Sequence, residues 1–464
     1  MGLSIFVCLY GCDFMSKTIV KDLTKGSVVK LLLVFAFPLF LSNALQAIYN
    51  IVDMIVVGQC LGEKGMSAVS IGGDMLHLLT FVAMGFSSAG QVLISQDVGA
   101  NRIDRVKKTI GTMFSFLLIA SIVMSVVCYF LRNNILSWLN TPEESYQYTL
   151  DYTVTCIVGL VFIYGYNIVS AILRGMGDSK RPFAFIAIAA VLNIVLDIWF
   201  VKYLELEVFG AALATVIGQG VSFIVSIIYL YIKRDSFCFD FKPKSFLMEK
   251  NALSRIIKLG VPMAIQSAAI NLSKIVLMSW INMFGVTYSA LAGIYNKINV
   301  MCGVVSNSFT TAGSAMVGQN LGAEKDERIS SILKTVAVCG GLVAVVFSFI
   351  IFIFPNQTFS AFTSDAKVLS IASILISPII LNFFGAATRS ISFSLINGSG
   401  NTKLNLAVAI IDGVISRVGI SALLGFALNM ECLGFWYGDA LAGFVPIIIG
   451  LTFLISGKWR TKPS

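Results

Sequence analysis

The feature that most constrains the fold of this chain is a series of twelve long apolar stretches. They cover roughly residues 30–58, 66–96, 107–131, 148–173, 182–203, 208–232, 252–284, 288–318, 329–354, 368–396, 403–427 and 433–456. Each can cross a bilayer, because about 20 helical residues span its hydrocarbon layer. Charged residues make up 12% of the chain, against about 25% in soluble domains. Alternating strands of the kind that form membrane barrels are missing. The sequence therefore predicts an all-α polytopic membrane protein with twelve transmembrane helices.

The same motifs occur twice along the chain. Pro38 lies in F-P-L-F-L-S-N, and Pro262 lies in V-P-M-A-I-Q-S, 224 residues later. The segment Q-D-V-G-A at 96–100 recurs as Q-N-L-G-A at 319–323, and R-G-M-G-D at 174–178 recurs as N-G-S-G-N at 397–401. Three matched motifs in the same order indicate a duplicated unit. Duplicated halves in an apolar chain are typical of secondary transporters.

The duplication divides the chain into two six-helix bundles. Because six is an even number, both bundles start on the same side, and a pseudo-two-fold axis along the membrane normal is predicted to relate them. The predicted order is a cytoplasmic segment over 1–29, a bundle over 30–232, a cytoplasmic linker over 233–251, a bundle over 252–456 and a cytoplasmic tail over 457–464. Residues 1–14 are interpreted as an over-extended start, since a more plausible one follows at Met15.

Basic residues are unevenly distributed between the two predicted membrane faces. The net charge of +9 comes mostly from the termini, the linker and the loops on their side of the membrane. The opposite side carries only Lys64, Arg132, Lys202 and Lys367. By the positive-inside rule both termini are cytoplasmic. The charge is therefore a topology signal rather than a nucleic-acid surface. The charge distribution predicts a multi-pass protein of the plasma membrane that contacts the lipid bilayer. Binding of nucleic acid is not predicted.

Signatures of catalysis and of metal binding are missing from the sequence. The nine cysteines form no C-x-x-C pair, and His77 is the only histidine. Neither a metal cluster, a disulfide framework nor an enzyme active site is predicted. His77 is either a hydrogen-bonded packing residue or a proton relay. No cofactor is expected beyond a coupling ion.

The structural roles of the glycines and of the prolines in the repeated motifs each have two possible interpretations. The glycines suit tight turns that need a positive φ, whereas a phosphate-binding loop is disfavoured because no strand precedes them. They are Gly99, Gly175, Gly177, Gly322, Gly398 and Gly400. Pro38 and Pro262 either kink their helices or free backbone carbonyls that line a cavity and act in gating.

Polar residues inside the first six predicted helices form the candidate coupling site. Insertion of an ionisable side chain at the bilayer centre costs about 2.5–3.5 kcal/mol of free energy, so each such residue requires a structural or functional explanation. The fifth helix carries an amide and a carboxylate four residues apart, which places both on one face. Carboxylate, amide and hydroxyl oxygens are the hard ligands that a small cation such as Na⁺ or H⁺ requires. The predicted site consists of Asn50 and Asp53 on the first helix, Asn167 on the fourth, Asn193 and Asp197 on the fifth and Thr215 on the sixth.

The second half does not repeat this chemistry. Ser416 and Ile420 occupy the positions that correspond to Asn193 and Asp197, so coupling is predicted in the first half alone. Asp74 and its near-equivalent Lys297 are possible secondary polar sites. The remaining charges of the second half are interpreted mainly as packing pairs that neutralise one another. They are Lys274, Arg389, Asp412, Arg417 and Asp439.

The motifs together resemble those of the multidrug and toxic compound extrusion (MATE) family. The resemblance runs from about Met15 to the C-terminus. It rests on Pro38 with Y-N-x-x-D at 49–53, the three repeated motifs, Asn193 with Asp197, and G-A-A-L-A-T at 210–215. It departs at Ile198, where a proline often follows the acidic residue of the fifth helix. The acids that a second bacterial branch carries in its C-terminal half have no evident counterpart.

The resemblance implies a V-shaped pair of six-helix bundles that exports bulky, often cationic drugs or metabolites against inward Na⁺ or H⁺ by alternating access. Similarity to the DinF-type branch implies that Asp53, Asn193, Asp197 and Thr215 form its cation site. Small-molecule drugs are then the expected substrates, and the monomer is the expected functional unit. The alternative within transport is a lipid-linked oligosaccharide flippase, which usually has more helices and a strongly cationic cavity. A channel would give no reason for carboxylates confined to one half.

Overall fold

The computed structural model describes residues 20–460 apart from 140, 238 and 364, and leaves the side chains of 235 and 236 undescribed. The predicted N-terminal segment up to residue 19 and the last four residues of the predicted tail lie outside this range. The prediction of an over-extended start over residues 1–14 therefore falls outside the described residues. The described chain is helical and contains no strand. The all-α prediction is confirmed.

Twelve long helices follow one another through the described residues. The run Val28–Gly99 breaks at Gly62, whose φ of 64° and ψ of −150° are not helical, which gives α1 (28–61) and α2 (63–99). The others are α3 (Ile103–Trp138), α4 (Glu143–Gly175), α5 (Lys180–Tyr203), α6 (Glu207–Ile232), α7 (Lys250–Asn282), α8 (Val286–Gly322), α9 (Glu327–Ile353), α10 (Ala366–Ser399), α11 (Thr402–Ala427) and α12 (Glu431–Ser456). The predicted helix number is confirmed.

Length and composition suit most of these helices to a membrane. Ten helical runs of the described chain are long and apolar enough to cross one, with α1 and α2 counted as a single run. Helix α8 is not among them, because Ser, Thr, Asn and Gln interrupt its apolar sequence. Large apolar side chains such as Phe130 and Ile455 are 74% and 85% exposed, which suits contact with lipid rather than water.

The chain forms two compact units. Within the described residues, the first contains 20–22 and 37–260, and the second contains 23–36 and 261–460. In the first unit α4 packs on α3 and α6, and α5 packs on α6. In the second unit α10 packs on α9 and α12, and α11 packs on α12. The packing scheme is the same in both, as expected for a duplicated sequence.

The repeated glycines serve two different purposes. Gly177 and Gly400 have φ of 84° and 70°, as predicted for tight turns. Gly175 and Gly398 instead allow a close helix contact, since a Cβ on either would lie 2.8 Å from a backbone oxygen, that of Gln91 or of Ser314. Positive φ was also predicted for Gly99 and Gly322, and this is wrong. The left-handed residues after α2 and α8 are Asn101 (φ 55°) and Glu324 (φ 56°).

The predicted linker packs closely on α3 within the first unit. Phe239 is 1% exposed, and its ring centroid lies 5.2 Å from that of Phe246 and 6.4 Å from that of Phe114. The Glu249 N–H donates to Thr112 Oγ1 at 3.1 Å, and a Cβ on Gly111 would overlap the Ser245 carbonyl oxygen. The linker is therefore a packed element of this unit. Its exposed Asp240 accepts a hydrogen bond from Ser245, which lowers the pKa of that carboxyl.

Candidate functional site

Four of the predicted site residues meet in the interior of the first unit. Asp53 lies on α1, Asn193 and Asp197 on α5, and Thr215 on α6. Their exposed fractions are 2%, 2%, 0% and 6%, so water does not reach these polar groups freely. The i, i+4 spacing on α5 turns Asn193 and Asp197 to one face, as the sequence predicts. We call these four residues the carboxylate cluster.

Hydrogen bonds join Asp53 to α5 and α6. Thr215 Oγ1 donates to Asp53 Oδ2 at 3.3 Å. The amide of Asn193 fits its neighbours best when Nδ2 faces Asp53 Oδ1 at 3.0 Å and the amide oxygen accepts from the Thr215 N–H at 3.3 Å. Orientations of this kind are assigned from the donor and acceptor pattern. Both oxygens of Asp53 thus accept a hydrogen bond from within the cluster.

The Asp197 carboxyl lacks a hydrogen-bond donor among the described residues. Its carboxyl lies within hydrogen-bonding range of the Asp53 carboxyl. Both of its oxygens are buried, and no donor of the described chain reaches either one. Two touching carboxylates repel unless a proton or a cation lies between them. The geometry is therefore that of a site for a proton or a small hard cation.

The backbone beside Asp197 departs from regular α-helix. A π-helical turn over Ile198–Tyr203 follows it directly, and such turns are frequent at functional sites. The Ile198 N–H bonds to the carbonyl of Ile194. A proline here would remove that donor. The isoleucine therefore keeps the helix continuous past the carboxylate.

Four buried residues near the carboxylate cluster were not predicted. Tyr49, Tyr152 and Cys156 lie close to Asp53, and Gln219 contacts Tyr49. All four are buried, and Gln219 Nε2 lies 3.5 Å from the Tyr49 hydroxyl. Tyr49 precedes Asp53 by four residues, and Gln219 follows Thr215 by four. The same helical spacing that indicates Asn193 with Asp197 therefore also indicates these two. Tyr152 and Cys156 gave no such signal, because neither shares a helix with a cluster residue.

The other predicted site residues do not join the cluster. Asn50 is exposed, and the Asn167 amide donates to the Ile163 carbonyl of its own helix at 2.8 Å. Asp74 and Lys297 are exposed and form no ion pair within the described residues. His77 is exposed near Asp74. Across the described residues, no group of three or more His, Cys, Asp or Glu side chains suits a metal ion.

The buried charges of the second unit do pair, as predicted. Arg417 Nη1 binds Asp439 Oδ1, and Arg417 Nη2 lies 3.7 Å from Asp412 Oδ1. Arg389 Nε lies 3.4 Å from Asp412 Oδ2. Lys274 has no carboxylate within salt-bridge distance in the described part of the chain. The packing-pair interpretation therefore holds for four of the five charges.

Comparison with known proteins identifies the family. The MatE family model matches residues 38–199 and 262–423, more than half of the chain. The chain belongs to the MatE family. The two matches begin at the paired residues Pro38 and Pro262, so the family unit coincides with the repeat. The first match contains Asp53, Asn193 and Asp197, whereas Thr215 lies beyond it.

Relatives and solved structures agree with the MatE assignment. The chain is 28% identical over 433 residues to the probable multidrug resistance protein YoeA of Bacillus subtilis, covering 92% of this chain and 93% of YoeA. The probable multidrug resistance protein YpnP of the same organism is 27% identical, covering 95% and 97%. A multidrug resistance MATE family transporter solved in an outward-facing conformation matches with a TM-score of 0.86 at 21% identity, covering 95% and 98%. The two-bundle fold is thereby confirmed, and a multi-pass membrane transporter follows.

Proposed function

We propose that this MatE protein is a secondary active antiporter that exports bulky cationic or amphipathic compounds in exchange for inward Na⁺ or H⁺. The observation that carries the proposal is the buried Asp197 carboxyl, which touches Asp53 and has no donor among the described residues. Multidrug export is supported by the relatives YoeA and YpnP, which are named as probable multidrug resistance proteins. The same names do not favour a flippase.

The carboxylate cluster supplies the ion site. A proton between the two carboxyl groups, or Na⁺ held by carboxylate, amide and hydroxyl oxygens, would relieve their repulsion. Asn193 and Thr215 orient Asp53, so the ligand set is preorganised on three helices. No cofactor takes part.

Alternating access would link this site to the substrate. An ion shifts the equilibrium between two conformations only by its difference in affinity for them. Since Asp53 lies on α1 and Asp197 on α5, occupancy of the cluster changes the attraction between these helices. Repacking of α1 on ion binding would then release the substrate outward. Affinity changes linked in this way are reciprocal.

The experiment is ethidium efflux from proteoliposomes under an imposed Na⁺ gradient and then under a pH gradient. We expect efflux to follow one gradient. Asp197→Asn should lower it at least about tenfold, equivalent to about 1.4 kcal/mol. Asp74→Asn is the matched control, because its exposed carboxylate lies outside the cluster, and it should stay within about twofold. Efflux indifferent to both gradients and to Asp197→Asn would refute the coupling.

The protein is further proposed to act as a monomer in the plasma membrane, with both termini in the cytoplasm. The concentration of basic residues in the termini, linker and same-side loops supports the orientation of the termini.

A further inference from the structure

One face of α3 is apolar and exposed over the second half of the helix. Its members recur at intervals of three or four residues, which places them on one side of the helix. They are Ile119, Ile122, Val126 and Phe130. In a chain that spans the membrane, exposed apolar side chains in a continuous row contact lipid rather than water. We call these four residues the lipid-facing stripe of α3.

The linker covers the continuation of this stripe toward the start of α3. At the same helical spacing the stripe passes next through Ser115 and Thr112. Ser115 Oγ donates to the Phe246 carbonyl. The Glu249 N–H donates to Thr112 Oγ1 at 3.1 Å. Residues 246–249 therefore lie on the face of α3 that meets lipid further along the helix.

The same stretch of α3 lies at the membrane surface. Lys108 precedes Thr112 by one turn on the same face, and Lys107 stands beside it. Both lysines are exposed, and lysines near the ends of membrane helices reach the headgroups with their charged ends. From Phe246 to Glu249 the linker runs along α3 toward these lysines. The segment therefore lies at the boundary between acyl chains and headgroups.

Aromatic side chains hold the linker in this position. The ring centroid of Phe246 lies 5.8 Å from that of Phe114 on α3 and 6.2 Å from that of Phe241. The ring centroid of Phe241 lies 5.9 Å from that of Tyr231, at the end of α6. Rings at these distances pack favourably against one another. The linker is thus fixed on two helices, so its outward side chains have a defined direction.

The outward side of the linker combines apolar and basic side chains. Leu247 and Met248 are 71% and 46% exposed. Lys244 and Lys250 flank them in the sequence, are exposed, and form no salt bridge within the described residues. Exposed apolar side chains between lysines are typical of segments that lie in the membrane interface.

The carboxylates of this part of the linker do not neutralise the two flanking lysines. Residues 239–251 contain two carboxylates. Asp240 lies 3.8 Å from Lys242 and pairs with it. Glu249 accepts a hydrogen bond from the Ala252 N–H at 2.7 Å and so caps the start of α7. The outward charge of the segment is therefore positive, and a negatively charged headgroup complements it.

We propose that residues 244–250 dock on anionic phospholipids in the leaflet on their side of the membrane. Leu247 and Met248 enter the bilayer beside the lipid-facing stripe. The two flanking lysines, together with Lys108, contact the phosphate groups. Lipid is the occupant because the segment continues a surface that already meets lipid, which a protein partner would have to displace. Such docking is independent of the proposed antiport.

The test measures lipid binding to the full-length protein by native mass spectrometry, with phosphatidylglycerol and phosphatidylcholine of identical acyl chains. We expect the first phosphatidylglycerol to bind at least about fivefold more tightly than the first phosphatidylcholine, since one lysine near an anionic surface contributes about that factor. Inorganic phosphate at the same concentration should not displace the lipid, because it lacks acyl chains. Equal binding of the two lipids, or displacement by phosphate, would overturn the proposal.

Two double variants separate docking from a general effect of charge. Lys244→Gln combined with Lys250→Gln should reduce the preference for phosphatidylglycerol to less than about twofold. Lys64→Gln combined with Lys202→Gln is the matched control, because it makes the same change in net charge at exposed lysines of this unit outside the linker. The control should keep the preference. Equal losses in the two double variants would refute the assignment.

Leu247→Trp tests the apolar half of the proposal. The variant is placed in nanodiscs of ordinary or brominated phosphatidylglycerol, and the wild-type emission is subtracted, because five tryptophans are native. We expect the added emission to be blue-shifted and to be quenched by the bromine atoms on the acyl chains. An added emission like that of tryptophan in water, insensitive to bromine, would contradict insertion of the segment.

Discussion

At the scale of single residues, substitution of Asn193 tests whether ion coupling at the carboxylate cluster depends on the amide of this residue. The amide approaches Asp53 Oδ1 at 3.0 Å and also contacts Thr215, so it orients the carboxylate that a cation would use. Hydrogen bonds to charged groups contribute about 1.5–3 kcal/mol. Asn193→Ala should therefore weaken ion coupling by about 10- to 100-fold, measured as the Na⁺ or H⁺ concentration that half-saturates efflux.

Asn50 is the matched control for Asn193. It has the same side chain, lies on the same helix as Asp53, and is exposed rather than turned into the cluster. Asn50→Ala should change half-saturation by less than about twofold. A larger effect from Asn50→Ala than from Asn193→Ala would show that the functional ion site differs from the cluster in this structure.

At the scale of elements, Gly111 tests the packing of the linker on α3. A Cβ at this position would meet the Ser245 carbonyl oxygen, a backbone atom that cannot rotate away. Overpacking of this kind costs about 1–3 kcal/mol. Gly111→Ala should lower the midpoint of thermal unfolding, measured by tryptophan fluorescence in detergent.

Gly73 supplies the control for Gly111. It lies on α2 of the same unit, and a Cβ there would have no neighbour within 4 Å. Gly73→Ala should raise the midpoint slightly, because alanine favours helix over glycine by about 1 kcal/mol. Equal destabilisation by Gly111→Ala and Gly73→Ala would show that the linker does not pack closely against α3 at Gly111.

Helices were more predictable than side-chain pairs, for a physical reason. Apolar length sets where a membrane helix lies, so most ends of the twelve stretches were predicted within a few residues, although α3 continues seven residues beyond the predicted 131 to Trp138. The face shared by Asn193 and Asp197 follows from helical spacing. Asn50 also lies one turn from Asp53, but the rotation of α1 turns its side chain outward and Tyr49 inward. Helix rotation depends on packing across the bundle, which no local pattern encodes.

At the scale of the whole molecule, the two units share a backbone plan but differ in chemistry. Gly175 against Gln91 and Gly398 against Ser314 are equivalent close contacts, each with a 2.8 Å approach. The buried ionisable groups are not equivalent. The first unit places two carboxyl groups together, and the second pairs Arg389 and Arg417 with Asp412 and Asp439. Duplication therefore preserved these helix contacts while the buried ionisable groups of the two units diverged.

The proposed antiport predicts a measurable linkage between the coupling ion and the substrate. In an antiporter the ion and the substrate favour different conformations, so occupancy of the carboxylate cluster should weaken substrate binding elsewhere. Coupling free energies are typically about 1–3 kcal/mol, or 5- to 150-fold. Saturating coupling ion should therefore raise the dissociation constant of ethidium by a factor in that range, measured by fluorescence anisotropy in nanodiscs.

Asp197→Asn should remove this ion dependence without removing binding, since asparagine carries neither the charge nor the proton. Lys297→Gln should leave the dependence intact. By reciprocity, the dye should reduce the affinity for the ion by the same factor. An ion effect that survives in Asp197→Asn would locate coupling outside the carboxylate cluster. A dye affinity independent of the ion in the wild type would mean that the two sites act in the same conformation, which is incompatible with exchange of one ligand for the other.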